Sequence, residues 1–117
     1  MVRNLLIRVE SDPRESARPA EAVRIGAGVG AWNKVKVHFL FAGPAVMCLD
    51  EFADELKEGE LFAQYLPSIA QHGGRIVVEE SSATLKGIQP TSALQFEKLS
   101  SAEIERMQHE ADHVMRF

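Results

Sequence analysis

The segment Lys34 to Phe41, KVKVHFLF, alternates polar and apolar residues and then becomes continuously apolar. A strand with one face in water keeps its alternation, whereas a strand covered on both faces loses it. Covered strands of this kind belong to parallel sheets flanked by helices. This one run therefore points to an α/β sheet. Asn4–Glu10 (NLLIRVE) and Arg75–Val78 (RIVV) read as a first and a third strand of the same sort, Leu94–Phe96 as a short fourth, and His113–Phe117 as a terminal strand. The 117 residues suffice for one domain spanning residues 1–117.

The intervening stretches carry helical spacing. Ser11-Asp12-Pro13 forms a turn, and the first regular helix is expected near Pro19, after an irregular stretch with Arg14 and Arg18. Ala20, Val23 and Ala27 then share a face as far as about Gly30. A second helix is expected over Ala45–Leu56, with Val46, Leu49, Phe52, Ala53 and Leu56 facing inward. Leu61–His72 reads as a third, kinked or split at Pro67 and ended by Gly73-Gly74. Ala83–Gly87 is expected to make a short helical turn, and Ser100 with Glu103 forms a capping box ahead of Ile104 and Met107. Alternating strands and helices imply right-handed crossovers. The expected fold is a three-layer α/β domain: a mainly parallel five-stranded, flavodoxin-like sheet with helices on both faces.

Charge and cysteine content narrow the function. Seventeen acidic residues against 13 basic ones give a net charge of −4, without the basic stripe that phosphate neutralisation demands, so no nucleic-acid partner is expected. No apolar run approaches the roughly 20 residues of a membrane span. A single cysteine excludes an internal disulfide and a cysteine-built zinc site. With a strand-like run opening at Asn4 in place of a leader, the expected location is the cytoplasm.

Several motifs have both a functional and a structural reading. Gly26-Ala27-Gly28-Val29-Gly30-Ala31 matches the dinucleotide fingerprint, but a helix precedes it and a strand follows, the inverse of the required order. We read it as a glycine-rich helix end packed on the sheet. His109-Glu110-Ala111-Asp112-His113 matches a zinc-protease pattern, yet His113 opens a strand, which separates the two histidines; no metal site is expected. His38, between Val37 and Phe39, reads as a hydrogen-bonded structural histidine. Cys48 is expected in the first turns of a helix or just before it, where the dipole favours thiolate, but its apolar flanks suit a core residue. Glu79-Glu80 lies just past the third strand, at the sheet edge where α/β proteins bind ligands.

Taken together, the opening strand Leu5–Val9, the junction Val37–Gly43, Gln71-His72-Gly73-Gly74, Ser82–Gly87 and Ala111–Phe117 resemble the DsrE/DsrF-like sulfur-relay proteins over essentially the whole chain. That resemblance implies a homo- or hetero-oligomer, often built from trimers, with a sulfur-relay protein as a further partner. It also implies a sulfur-carrying cysteine just after the third strand. Counted from His72 and from Gly87, that position here is Glu79, and a carboxylate cannot hold a persulfide.

The expected role is accordingly that of a non-catalytic member, without a cofactor, that binds a partner or a small ligand. The cleft beyond the strand ends is expected to contain Gly43, Cys48, Glu79, Ser81 and Ser82. A second reading makes Cys48 the persulfide carrier; a carboxylate beside it would raise its pKa and slow it. A third, nucleotide or flavin binding, lacks a glycine loop after the first strand, where Ser11-Asp12-Pro13 stands. Trp32, Phe62 and Tyr65 are the aromatic candidates for contact between copies.

Overall fold

The computed structural model describes residues 2–82, 87–89 and 94–117. Its elements are β1 (Arg3–Val9), α1 (Arg18–Gly30), β2 (Val35–Phe41), two 3-10 segments (Gly43–Leu49 and Ala53–Glu55), α2 (Glu60–Gln71), β3 (Ile76–Glu79), β4 (Glu97–Leu99), α3 (Ser101–Glu110) and β5 (His113–Arg116). The five strands form one sheet in the order β4-β3-β2-β1-β5, and every pairing is parallel.

Period-two alternation divides the strands between two cores. Leu5, Ile7 and Val9, Val37, Phe39 and Phe41, and Ile76 and Val78 face α1 and α2, while Leu6, Leu40, Val77 and Leu99 face α3. Phe39 and Phe41 are fully buried, their rings stacked with centroids 5.8 Å apart. Each contributes roughly 1.5–3 kcal/mol of burial. The chain advances from β1 towards β4 and then returns to the opposite edge at β5. With right-handed crossovers, that reversal puts α3 on the face opposite α1 and α2.

The helix boundaries follow local chemistry. Asp12 accepts the Arg14 amide at 2.9 Å and pairs with its guanidinium, so the chain turns before α1 begins at Arg18 with Pro19 in its first turn. The Ser100–Glu103 capping box is formed in full, with Ser100 Oγ accepting the Glu103 amide at 3.3 Å. Pro67 does not split α2, which runs unbroken over Glu60–Gln71. The buried stripe Phe62, Leu66 and Ile69 outweighs the roughly 3 kcal/mol propensity cost of an internal proline.

Two expectations need correction. Ala45–Leu56 is not one α-helix but two 3-10 segments separated by extended backbone at Asp50. The Asp50 carboxylate accepts the Phe52 amide at 3.2 Å and the Gln89 amide at 2.7 Å, and this side-chain competition breaks the helix. Phe52, expected inside, is 60% exposed in consequence. The fourth strand is Glu97–Leu99 rather than Leu94–Phe96. Leu94 and Phe96 instead pack against the larger core from outside any strand, and only Leu99 reaches the α3 side. The turn expected over Ala83–Gly87 lies, Gly87 apart, outside the described residues.

Candidate functional site

At the carboxyl ends of β2 and β3 the chain leaves the sheet through Gly43 and Glu79. Gly43 has φ +56°, a left-handed conformation that glycine adopts without strain. Its amide donates to Ser82 Oγ at 3.0 Å, and Ser82 is itself buried. The Ser82 amide returns to the Glu79 carbonyl at 3.0 Å, while Ser81 Oγ donates to Glu79 Oε1 at 2.8 Å. Four of the five residues expected in the cleft are therefore joined by hydrogen bonds. Glu79 as a residue is half-buried at the strand end, and its hydrogen-bonded carboxylate is exposed.

Cys48 shares its 3-10 segment with Gly43. It lies near the end of the first 3-10 segment rather than in the first turns of an α-helix, so no helix dipole favours its thiolate. Its side chain, 2% exposed, borders a cavity of 330 Å³ shared with Asp50, Ala53, Phe62 and Leu66. Burial pushes the thiol well above its ordinary pKa, and the charge of Asp12 adds to the effect. A carboxylate does raise the pKa, as expected, but burial dominates and the carboxylate is Asp12, not Glu79. A thiol held protonated is a weak nucleophile.

The remaining motifs fall into structural positions. Gly26 lies inside α1, where a Cβ would meet Phe39 Cζ at 2.5 Å and Ile7 Cδ1 at 3.0 Å. His109 lies in α3 and His113 in β5, and among the described residues no group of three or more His, Cys, Asp or Glu could hold a metal ion. His38 is hydrogen-bonded on both ring nitrogens, to Asn4 at 3.0 Å and to the Arg75 amide at 2.9 Å. Its pKa is lowered by burial and then by the charges of Arg75 and Lys36. The sequence reading overlooked these partners. The signal was their spacing: Asn4, His38, Arg75 and Glu97 each stand two residues before an apolar residue of the α3-facing core.

Five parallel strands with helices on both faces define a three-layer α/β protein. The chain belongs to the DsrE/DsrF-like family, whose model matches residues 3–117. The crystal structure of the YchN protein from E. coli has the same fold, with a TM-score of 0.79, 15% identity and 100% of each chain covered. No curated protein matches the chain in sequence. Among the described residues, no helix is long and apolar enough to cross a membrane.

Proposed function

We propose that this chain is a non-catalytic member of the sulfur-relay family, a single cytoplasmic domain that assembles with copies of itself and binds a partner or small ligand at the Gly43–Glu79–Ser82 crevice. Family membership supports a sulfur-relay role in general terms. The observation that carries the finer reading is the burial of Cys48, 2% exposed beside a cavity lined by Asp50, Ala53, Phe62 and Leu66. Persulfide transfer needs an accessible thiolate to attack the donor's outer sulfur; the sulfane sulfur then becomes the acceptor's persulfide and the donor leaves as a thiol. Neither Glu79 nor a buried, protonated Cys48 meets that need.

The deciding experiment is a persulfide-transfer assay on wild type, Cys48→Ser and Glu79→Cys. Wild type and Cys48→Ser should accept no sulfur, and Glu79→Cys should accept it. Rapid labelling of wild type that vanishes in Cys48→Ser would establish the carrier reading instead.

For assembly we favour a trimer or a multiple of it. Trp32, 77% exposed, supports this as a contact residue, and Tyr65 is half-buried. Phe62, the third aromatic expected at a contact, is instead 2% exposed in the core beneath α2.

A further inference from the structure

A row of polar side chains crosses the sheet at the end opposite the crevice. Asp112, just before β5, accepts the Asn4 amide at 2.7 Å. Asn4 of β1 meets His38 Nε2 of β2 at 3.0 Å, and His38 Nδ1 accepts the Arg75 amide, just before β3, at 2.9 Å. The Arg75 guanidinium then makes a two-pronged pair with Glu97 of β4, both bonds 2.9 Å. All five strands are thus linked through one chain of contacts.

His38 is the central link, and its protonation state is dictated by its neighbours. A backbone amide can only donate, so the nitrogen facing Arg75 must be bare and the proton must sit on Nε2, donated to Asn4 Oδ1. The next rung of the β2–β3 ladder, Phe39 N–H to the Arg75 carbonyl at 2.9 Å, follows directly. A second proton on the ring would set N–H against N–H at the Arg75 position.

The charges around the ring come from every neighbouring element. Arg75 and Lys36 oppose a positive ring, and Glu97 favours one. Glu110 of α3 borders the same small cavity as His38 and Arg75, and Asp112 is engaged by the Asn4 amide.

We infer that His38 is a proton-sensitive clasp: uptake of a proton at Nδ1 releases the Arg75 amide and frees the start of β3, together with β4, from β2. The β3–β4 flank is the part able to respond. β3 has four residues and β4 three, and β4 pairs with β3 alone, whereas β1 and β2 are matched over seven. Because β3 ends in Glu79, loosening at Arg75 reaches the opposite crevice along one short strand. That consequence rests on the reading of the crevice given above; the clasp does not.

The test is an NMR titration of the whole chain from pH 8 to pH 5, following the His38 ring and the Arg75 amide, with hydrogen exchange on the same sample. His38 should titrate below the ordinary 6.5, and the Arg75 amide should move with the same midpoint. Once corrected for the intrinsic pH dependence of exchange, opening of Ile76–Glu79 and Glu97–Leu99 should increase by up to about tenfold per pH unit, the limit for one linked proton. β1 should not follow. His38→Gln keeps an acceptor and a donor but cannot titrate, and should abolish the effect. An Arg75 amide that ignores the titration, a His38 midpoint at or above 6.5, or the same acid loosening in His38→Gln would overturn the clasp. Should His38→Gln fail to fold, the wild-type titration decides alone.

Discussion

The hydroxyl of Ser82 accepts the Gly43 amide at 3.0 Å, so the turn after β3 is tied to the loop after β2 across the mouth of the strand ends. Removing that acceptor in Ser82→Ala should cost about 1 kcal/mol. Gly43→Ala meets no steric obstacle, but its φ of +56° should cost about 1–2 kcal/mol. Urea unfolding measures both. A neutral Gly43→Ala would mean that the loop relaxes out of the left-handed region.

The glycine motif offers a paired test of its structural reading. Gly26→Ala drives a methyl into the buried Phe39 ring and should destabilise by about 1–3 kcal/mol. Gly28 has open space at its Cβ position, so Gly28→Ala should stabilise by about 0.5–1 kcal/mol. Equal effects in a denaturant series would contradict the close approach of α1 to the sheet.

Ellman's reagent should label Cys48 at least about a hundredfold more slowly in native protein than in urea, since the thiol reacts only through opening of the structure. Prompt native labelling would place the thiol at the surface and revive the carrier reading.

Acid should destabilise the fold in two stages. Folded His38 resists a proton that the unfolded chain takes up near 6.5, so its contribution is complete above that pH and is lost as pH falls below it. Glu97 is held below its ordinary 4.5 by the hydrogen-bonded Arg75 guanidinium, so stability present above that value is lost beneath it. The pair is largely exposed, and Glu97→Gln should cost no more than about 1 kcal/mol at neutral pH. Melting temperatures at pH 7.5, 5.5 and 4 should show His38→Gln removing the first stage and Glu97→Gln weakening the second.

Light scattering should give a multiple of the 13.0 kDa chain mass for wild type and 13.0 kDa for Trp32→Glu. Wild type at the monomer mass would refute assembly itself. An unchanged mass in Trp32→Glu would move the contact elsewhere.

The strands of the sheet interior were legible because burial on both faces leaves continuous apolar runs such as Phe39-Leu40-Phe41. Edge strand β4 was not, since its sequence is Glu-Lys-Leu and only Leu99 is buried. The break at Asp50 escaped because it depends on Gln89, a residue 39 positions away whose amide the carboxylate captures. That Gly43, Glu79, Ser81 and Ser82 come within hydrogen-bond reach of one another was legible from topology, since residues after adjacent parallel strands share an edge. The burial of Cys48 was not legible in the same way. Its place depends on how the 3-10 segment turns beneath α2, which spacing alone does not encode.

Because β5 runs parallel to β1, the two ends of the chain emerge from opposite ends of the sheet. A tag fused before Arg3 departs beside the His38 clasp, far from the strand-end cluster. One fused after Phe117, which is anchored to Ser11 and to the Arg8 carbonyl, departs at the Gly43–Glu79 end. Fusions at the two termini are therefore not equivalent reagents. Pull-down experiments on the crevice belong with an amino-terminal tag, and proton-linked measurements on the clasp with a carboxyl-terminal one.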